Sequence, residues 1–551
     1  MAIRDKDLLS LQQAREMAAR AKAAARTLAG FSQEKIDRVV DAMAEAARAE
    51  AERLGRMAHE ETGFGKAADK TRKNLFSAVD VYNYIRPLRT VGVLREDPAR
   101  RVVEIAEPMG VVAAVIPSTN PTSTAIYKAL ISIKGRNTIV MSPHPSARNC
   151  ILESARVMQR AAVAAGLPED ALLCMTEVSL EGTQELMKSR DTGVILATGG
   201  VGLVRAAYSS GKPAFGVGPG NVPAYIEKTA DVPKAVKDVI DGKTFDNGTL
   251  CSSEQSLICD EPIKDLCVAE VKKNGGYFLS ETEIAAVSRV VVTPQRLANP
   301  EIVGKPATYI AEKAGLKVPA ETRVLVAPLA GVGRDFPLSI EKLSPVLAFY
   351  VVKDWHEGCE RVLALLRYGG TGHTMAIHSR DDAIIREFAL KKPVFRIIAN
   401  TQASMGATGY TTGLAPSMSL GCGAYAGNIT SDNITPLHLI NIKRLAYELP
   451  REGRAAQPAP AAGGLQARVA AFVDERVRGA TPAPPAAPPP AAAVPAASVP
   501  SPVDFVSEDD VRRALREGRS IRLSGRAIVT PSARDLAAGT NVLVGEKRER
   551  S

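Results

Sequence analysis

Apolar residues recur with two different periods along the first 450 positions of this chain. Four short runs are almost continuously apolar, as is typical of strands buried on both faces: 111–116, 138–141, 193–198 and 224–226. Other segments carry apolar residues every three or four positions and predict helices, among them 147–165, 200–209 and 232–245. This alternation predicts an α/β fold in which crossover helices join the strands of a sheet.

The pattern differs at the two ends of this region. Residues 10–60 predict two helices, and Ser32 is suited to cap the second, because its hydroxyl accepts a hydrogen bond from a free N–H group. Ala and Pro dominate much of residues 451–502. Such a segment buries too little apolar surface to fold, so we predict an extended linker.

Two helical patterns interrupt or follow this linker. Residues 465–478 have an amphipathic spacing, with these apolar residues on one face: Leu465, Val469, Phe472, Val473 and Val477. Residues 503–551 predict a C-terminal helical segment. In it, Ser507 and Asp510 have the spacing of a capping box, and Gly518 is placed to end the helix.

Composition narrows the functional classes. A length of 551 residues exceeds one ordinary core and predicts two or three domains. The net charge of +10 is scattered along the body of the chain, so we expect no nucleic-acid partner. The seven cysteines show no C-x-x-C pairing, so we expect neither a metal site nor a disulfide framework. The charged N-terminus and the short apolar runs predict a cytoplasmic protein without membrane spans.

Cys251 is the strongest candidate nucleophile in the sequence. It follows the turn-forming pair Asn247-Gly248 and precedes the strand-like run 255–259. A cysteine at such a position is exposed to a ligand, and its thiolate is the reactive form. Among the other cysteines, only Cys422, between two glycines, is a rival; the rest have the apolar surroundings of core thiols.

Four further segments carry chemistry-bearing residues, although each also has a purely structural explanation. Thr198-Gly199-Gly200 joins a predicted strand to a predicted helix, where a backbone can approach a phosphate. Asn120 follows another strand and can donate its amide to a developing oxyanion. Glu341 precedes a strand, and His373 lies in a glycine-rich loop and titrates near neutral pH.

Taken together and in this order, these motifs resemble those of the aldehyde dehydrogenase superfamily, and within it those of the coenzyme A-acylating branch. The resemblance covers about residues 5–450. It is carried by Glu61-Thr62-Gly63, Pro117-Ser118-Thr119-Asn120-Pro121, Ser142-Pro143-His144-Pro145, Thr198-Gly199-Gly200, Asn247-Gly248 with Cys251, Glu341 with Pro345, Gly372-His373 and Asn433-Ile434-Thr435-Pro436.

The resemblance implies a domain plan. A Rossmann-type dinucleotide-binding domain would span residues 1–245, and an α/β catalytic domain carrying Cys251 would span 246–429. A small β oligomerisation arm would use residues 91–107 and the closing segment 430–450, in a homodimer or homotetramer. The C-terminal extension would be largely disordered.

The resemblance also implies the roles of the site residues. Cys251 would be the nucleophile, with the Asn120 amide and the Cys251 backbone N–H as oxyanion donors. His373 would lie near the thioester and the incoming thiol. The residues that would bind NAD, with NADP left open, are Ser142, Pro143, Pro145, Thr198, Gly199, Gly200 and Glu341.

The sequence departs from hydrolytic aldehyde dehydrogenases at one position. Those enzymes carry a general-base glutamate about 34 residues before the cysteine, where this chain has Val217. Valine cannot deprotonate water, and general-base assistance is worth roughly a hundred- to ten-thousandfold in rate. We therefore expect the Cys251 thioester to persist until coenzyme A attacks it, because a thiol is far more acidic than water.

Two other functions stay open from sequence alone. A hydrolytic enzyme is one alternative, with Glu254 or Glu341 as its base. A shell-associated scaffold with an inactive dehydrogenase body is the other. The C-terminal tail favours a docking role, because acylating aldehyde dehydrogenases are frequent cargo of bacterial microcompartments. Their targeting peptides resemble the segments 465–478 and 503–551, which would bind a shell protein.

Overall fold

A computed structural model describes residues 5–449 and 502–545, which belong to two separate compact units. The helices of the first unit are α1 (Lys6–Leu28), α2 (Gln33–Ala49), α3 (Ala51–Thr62), α4 (Ala67–Leu75), α5 (Tyr82–Ile85), α6 (Pro121–Lys134), α7 (Arg148–Ala164), α8 (Leu180–Lys188), α9 (Val201–Tyr208), α10 (Val232–Thr244), α11 (Lys264–Lys273), α12 (Glu281–Val291), α13 (Ala307–Lys313), α14 (Trp355–Gly369), α15 (Asp382–Lys391) and α16 (Ala403–Ala407). A π-helical segment, Phe76–Val81, joins α4 to α5.

The strands of this unit are β1 (Gly92–Asp97), β2 (Val102–Pro108), β3 (Val111–Ile116), β4 (Thr138–Pro143), β5 (Leu172–Cys174), β6 (Thr192–Thr198), β7 (Ala214–Val217), β8 (Val222–Ile226), β9 (Glu254–Asp260), β10 (Gly276–Phe278), β11 (Val324–Pro328), β12 (Val346–Val352), β13 (Gly372–His378), β14 (Val394–Ala399) and β15 (Ile440–Ala446).

A five-stranded parallel sheet has the order β5-β4-β3-β6-β7. Strands β3 and β4 are buried along their whole length, which explains their continuous apolar sequences. The chain leaves β3 in one direction towards β4 and later returns to β6 on the other side. Ligands of such sheets bind at this reversal, beyond the carboxyl ends of the two strands. Asn120 follows β3 and Gly199 follows β6, so both lie at this edge.

A seven-stranded parallel sheet has the order β10-β11-β12-β9-β8-β13-β14. Strand β8 pairs with β9 and β13 of this sheet, although it falls within residues 1–245, the range predicted for the dinucleotide-binding domain. The two sheets are therefore divided between Val217 and Val222. The connection between β7 and β8 is only four residues long, so the sequence shows no linker at the boundary between the two sheets.

A third, antiparallel sheet is built from β1, β2 and β15. Apart from Pro108 at the end of β2, these strands lie within the residues predicted for the arm, 91–107 and 430–450, and their use in oligomerisation stays a prediction. Three helices, α1 to α3, occupy the region where two were predicted. Ser32 caps α2, since its Oγ accepts a hydrogen bond from the N–H of Lys35 at 3.3 Å.

Residues 502–545 form a small β-α-β-α-β unit. It consists of β16 (Val503–Val506), α17 (Glu508–Glu517), β17 (Ile521–Val529), α18 (Pro531–Ala537) and β18 (Leu543–Gly545). The strands are parallel in the order β16-β17-β18, and the core contains Val506, Val511, Ala514, Ile521, Ala533, Ala537 and Val542.

The second unit corrects the expectation of a purely helical segment over 503–551. Helix α17 has the predicted capping box of Ser507 and Asp510 and ends at Gly518, whose φ is 62°. The strands were not predicted, because β16 and β18 are only four and three residues long, and β16 and β17 carry exposed polar residues, Asp504 and Arg522, among their apolar ones. The segment 465–478 lies outside the described residues.

Within residues 5–449 and 502–545, none of the helices has both the length and the apolar character needed to cross a bilayer. In the same ranges, no group of three or more His, Cys, Asp or Glu side chains is arranged to hold a metal ion.

Candidate active site

A cavity of about 500 Å³ lies at the carboxyl ends of β3 and β6, against the turn that precedes β9. Eight of the ten residues predicted for the site line it: Asn120, Pro143, Pro145, Thr198, Gly199, Gly200, Cys251 and Glu341. They come from segments up to 221 residues apart in the sequence. The fold therefore brings the predicted nucleophile, oxyanion donor and nucleotide-binding residues to one place.

Cys251 lies at the end of a tight turn. Asp246, Asn247 and Gly248 have φ angles of 47°, 52° and 76°, a left-handed run that reverses the chain between α10 and the cysteine. The Asn247 side chain secures the turn, since its Nδ2 donates to the carbonyl of Gly304 at 2.9 Å. Cys251 is half-buried in the cavity wall, whereas the other six cysteines, including Cys422, are buried.

Burial raises the pKa of the Cys251 thiol to about 12, and the negative charge of Glu341 adds to this effect. The positive charge of Arg396 acts in the opposite direction. The thiol is therefore protonated at neutral pH in this form of the protein. Attack on a substrate requires that a bound molecule or a change in the cavity stabilise the thiolate.

Asn120 is the residue just before α6, and its side chain makes no cap for that helix. Its Oδ1 accepts a hydrogen bond from Nζ of Lys73 at 2.6 Å, and its Nδ2 donates to Oγ1 of Thr119 at 3.2 Å. Pro121 begins the helix and fixes the backbone there. Asn120 is buried and is one of the residues that line the cavity.

The turn between β6 and α9 is suited to a phosphate group. Oγ1 of Thr198 is buried and has no hydrogen-bond partner among the described residues. A Cβ added to Gly200 would meet no atom within 4 Å, and no side chain caps the N-terminus of α9. Free N–H groups at a helix N-terminus attract anions. These features fit the pyrophosphate of a dinucleotide.

Ser142 does not line the cavity, although Pro143 and Pro145 do. Its Oγ is buried and shares a 2.8 Å hydrogen bond with Oγ1 of Thr183. Thr183 itself lines the cavity. Thr183 therefore lies between Ser142 and the cavity, and Thr183 was not among the predicted site residues.

Glu341 lines the same cavity as Cys251, and its Oε1 accepts a hydrogen bond from the N–H of Gly220 at 2.8 Å. Burial raises the pKa of Glu341 to about 7. Glu254, the other glutamate considered as a base, is fully buried and does not line the cavity. Only Glu341 of these two is therefore placed to exchange a proton with a molecule in the cavity.

His373 is fully buried as the second residue of β13 and is not among the residues that line the cavity, and its place beside the incoming thiol stays a prediction. Burial lowers its pKa to about 3, so the imidazole is neutral at pH 7. Nδ1 contacts Oγ1 of Thr374 at 3.0 Å, and Nε2 has no partner among the described residues. The backbone of Gly220 lies close to the ring, since a Cβ there would be 3.0 Å from Nδ1.

Val217 lines the cavity together with Cys251 and is 3% exposed. It is the last residue of β7, at the same sheet edge as Thr198, with which it pairs. The residue that replaces the expected general base therefore faces the site, and its side chain has no group that takes up a proton.

A second cavity, of about 10 Å³, shares Leu250, Thr408 and Met418 with the first. The rest of its lining is mostly apolar and consists of Arg72, Lys73, Phe76, Phe245, Met405 and Tyr410. Its size is close to that of one water-sized probe. The space on this side of the site therefore admits only a small group.

Sequence reasoning missed Lys73, Gly220 and the residues of the second cavity. One signal was present: Lys70, Lys73 and Asn74 lie at helical spacing on α4, and all three side chains are buried. A buried face made of polar side chains is unusual and indicates that partners lie opposite. The partners themselves come from distant parts of the chain and have no local signal.

Comparison with known proteins extends this picture. The model of the aldehyde dehydrogenase family matches residues 5–275. The bifunctional aldehyde-alcohol dehydrogenase AdhE of Escherichia coli K12 is 44% identical over 432 residues, which are 78% of this chain and 48% of that protein. This chain thus spans about half the length of that curated relative.

Two solved structures are also similar. An acetylating aldehyde dehydrogenase from Geobacillus thermoglucosidasius is 52% identical, with a TM-score of 0.80, over 82% of this chain and 100% of the other. A propionaldehyde dehydrogenase from the fucose utilisation bacterial microcompartment of Clostridium phytofermentans is 26% identical, with a TM-score of 0.71, over 79% of this chain and 98% of the other. The predicted resemblance is confirmed: this chain belongs to the aldehyde dehydrogenase family.

Proposed function

We propose that this protein oxidises a small aldehyde to an acyl-coenzyme A thioester, with NAD or NADP as the hydride acceptor. The observation that carries the proposal is the meeting of Cys251 and Asn120 in one cavity whose wall has Val217 where hydrolytic relatives carry a base. Similarity to an acetylating enzyme over the whole of that enzyme's length supports it.

In the first step the Cys251 thiolate attacks the aldehyde carbon. A carbon–sulfur bond forms, and the π electrons of the carbonyl move onto its oxygen. The Nδ2 group of Asn120 and the backbone N–H of Cys251 then donate hydrogen bonds to this oxyanion, a contribution worth roughly a hundred- to thousandfold in rate per donor. The thiol proton must leave beforehand, since the pKa of about 12 keeps it in place in the resting site.

The second step gives a thioester on Cys251. A dinucleotide bound in the cavity would supply the hydride acceptor for this oxidation. Thr198, Gly199 and Gly200 would hold the phosphates, and Pro143 and Pro145 would flank the adenosine end; all five line the cavity. Glu341 would hold the ribose next to the nicotinamide, as the family resemblance implies.

In the third step the sulfur of coenzyme A attacks the thioester carbon, the bond to Cys251 breaks, and the acyl group leaves on the new sulfur. Water competes poorly here, because it needs a base, whereas a thiol with a pKa of about 8.5 needs little help. The second cavity would accept the alkyl group of the aldehyde, and its small size favours a short chain.

A hydrolytic function is the second candidate, because Glu341 lines the cavity and burial raises its pKa to about 7. A base with a pKa near the working pH is well suited to take a proton from water. The hydrogen bond from Gly220 opposes this role, since it occupies one carboxylate oxygen. Glu254 is a weaker candidate because it is shut off from the cavity.

Product analysis distinguishes the candidates. The purified protein is given propionaldehyde and NAD or NADP, with and without coenzyme A, and acyl-coenzyme A and free acid are quantified. We expect sustained turnover only with coenzyme A, and a single burst of reduced nucleotide without it. Equal turnover to free acid without coenzyme A would favour hydrolysis, and the absence of any burst would favour an inactive scaffold. The two Michaelis constants identify the preferred nucleotide.

We further propose that the protein is a homodimer or homotetramer and works in the cytoplasm or inside a bacterial microcompartment. The microcompartment origin of a similar solved structure supports the second location. Contact with a shell protein through 465–478 or 503–551 would retain the aldehyde near the enzyme.

A further inference from the structure

Helix α4 has a buried face that is polar. Lys70, Lys73 and Asn74 lie on it at helical spacing, and they are 2%, 4% and 0% exposed. A buried ammonium group is costly unless acceptors surround it. In this protein the acceptors of Lys70 and Lys73 come from the two segments that carry the proposed oxyanion donors, the chain after β3 and the turn before β9.

Lys73 connects these two segments directly. Its Nζ donates hydrogen bonds to Oδ1 of Asn120 at 2.6 Å and to Oγ1 of Thr249 at 3.3 Å, and also to Oδ2 of Asp246. Thr249 donates in turn to Oδ2 of Asp246 at 2.6 Å, which closes the turn that leads to Cys251. One ammonium group therefore holds both the Asn120 amide and the turn that carries the backbone N–H of Cys251.

We propose that Lys73 is a positioning residue that keeps the two oxyanion donors, the Asn120 amide and the Cys251 N–H, at a fixed separation. The proposal rests on the attack of Cys251 on an aldehyde described above. Oxyanion donors are effective because they are already in place before charge develops. Lys73 can hold both donors in place beforehand, because movement of Asn120 or of the turn at Thr249 breaks a charge-assisted hydrogen bond to its ammonium group.

The contact also determines which end of the Asn120 amide faces the oxyanion. An ammonium group has only donors, so it binds the amide oxygen and leaves the NH₂ group on the other side. The remaining protein contact of Nδ2 is the hydroxyl of Thr119, at 3.2 Å. Without Lys73 the amide can turn over and present its oxygen, which repels an oxyanion. The charge on Lys73 also polarises the amide and strengthens its N–H donors.

The surroundings of Lys73 keep its charge available. Burial lowers its pKa to about 8, and the negative charge of Asp246 limits the fall. The ammonium form therefore prevails at pH 7. Asp246 does not depend on Lys73 alone, because it also accepts hydrogen bonds from Lys70 Nζ at 3.1 Å and from the N–H of Lys66 at 2.7 Å. A substitution of Lys73 thus leaves this carboxylate paired.

Lys70 is a matched control for Lys73. It lies on the same helix face, is equally buried and binds the same oxygen of Asp246. Its second hydrogen bond goes to the backbone carbonyl of Thr119, at 3.1 Å, and not to the Asn120 amide. Loss of Lys70 therefore removes a buried charge of the same kind without freeing the amide.

The test is a double-mutant cycle. Its readout is the rate of the burst of reduced nucleotide when the enzyme is mixed with propionaldehyde in a single turnover without coenzyme A. The variants are Lys73→Met, Asn120→Ala and the two combined, with Lys70→Met alone and combined as the control set. We expect Lys73→Met to slow the burst by roughly a hundredfold, as the loss of an oxyanion donor does, with an unchanged dissociation constant for the nucleotide. In the Asn120→Ala background we expect a clearly smaller further loss, of about tenfold or less, because only the Cys251 N–H then remains for Lys73 to position.

Equal losses from Lys73→Met in both backgrounds would overturn the proposal, as would a non-additive cycle of the same size for Lys70→Met. Where Lys73→Met loses nucleotide binding, Lys73→Gln, which keeps a donor without the charge, replaces it in the cycle under the same criteria. The burst precedes acyl transfer, so it reports on Lys73 whether the acyl group ends on coenzyme A or on water. A wild-type protein without any burst would instead overturn the proposed function.

Discussion

Gly220 donates its backbone N–H to the carboxylate of Glu341 at 2.8 Å, and the backbone of Gly220 also lies close to that of Cys251. A Cβ built on Gly220 would lie 2.4 Å from the carbonyl oxygen of Cys251 and 3.0 Å from the ring of His373. No side chain fits at this point without moving the backbone of Cys251 or the buried ring of His373. Gly220 therefore lies next to Cys251, Glu341 and His373, three residues that the sequence analysis considered separately.

We expect Gly220→Ala to displace the turn that carries Cys251. Overpacking of this kind typically costs about 1–3 kcal/mol of folding free energy. The shift also weakens the hydrogen bond to Glu341, so the burst rate should fall by more than about tenfold. Thermal unfolding and burst kinetics measure the two effects. Gly413→Ala is the control, because a Cβ there meets no atom within 4 Å; equal behaviour of the two variants would contradict the expectation.

Cys251→Ala should abolish the burst and all turnover while leaving nucleotide affinity unchanged, because the substitution removes the nucleophile and little of the cavity wall. Fluorescence titration with NADH and stopped-flow mixing with aldehyde check the two statements. Cys422→Ala is the matched variant: Cys422 is 2% exposed and its Sγ donates to the carbonyl of Leu420 at 3.4 Å. We expect it to retain the burst. Loss of the burst in Cys422→Ala alone would reverse the assignment of the nucleophile.

Val217→Glu should divert the acyl group from coenzyme A to water. The new carboxyl would replace a buried side chain in the cavity wall, and burial raises a carboxyl pKa towards the neutral range in which a base is most effective. Release of free acid relative to acyl-coenzyme A should rise by at least about tenfold at pH 8, within the range general-base assistance supplies. Chromatographic quantification of both products measures the ratio. Val217→Gln has the same shape without a base, and the same ratio in both variants would refute this explanation.

Glu341→Gln should lower the pKa of Cys251, because the carboxylate of Glu341 is one cause of its rise to about 12. The pKa of Glu341 is raised to about 7, so its negative charge is present above pH 7 and is lost as the pH falls through that value. The substitution should therefore accelerate alkylation of Cys251 by iodoacetamide above pH 7 and change it little near pH 5. Alkylation rates measured from pH 5 to 10 test this sign, and a slower reaction of the variant above pH 7 would contradict it.

Sequence reasoning identified the parts of this protein that have a local cause. The strands β3 and β6 are continuously apolar because both faces are buried, and the turns after them are recognisable from their Pro, Asn and Gly residues. Cys251 was recognised from its turn and its family pattern. These elements are specified by residues next to each other in the chain, and eight of the ten predicted site residues accordingly line the cavity.

The remaining features depend on contacts between distant segments. His373 has the sequence of an exposed glycine-rich loop, but the seven-stranded sheet buries it as the second residue of β13. The contact of Lys73 with Asn120 joins residues 47 positions apart, and that of Gly220 with Glu341 joins residues 121 positions apart. The side chain of Ser142 is separated from the cavity by Thr183, a residue 41 positions away with which it shares a hydrogen bond. These contacts depend on tertiary packing, so they leave no periodic pattern in the sequence.

The hydrophobic clusters of residues 5–449 are built from residues 14–439, and the cluster of residues 502–545 is built from its own residues, so each unit has a separate core. A chain ending at residue 450 should therefore keep the burst rate within about twofold, the range in which independent changes leave each other unaffected.

Under the docking hypothesis, residues 451–551 bind a shell protein and take no part in catalysis. Fused to a fluorescent protein, they should gather into foci in cells that assemble microcompartment shells and stay diffuse in cells without shells. A fusion of 502–551 alone distinguishes the two candidate segments: foci would assign docking to the small β-α-β-α-β unit, and diffuse signal would assign it to 465–478, whose apolar face needs a partner to be buried. A diffuse signal from the complete tail in shell-assembling cells would refute docking by either segment, and the tail would then need another explanation.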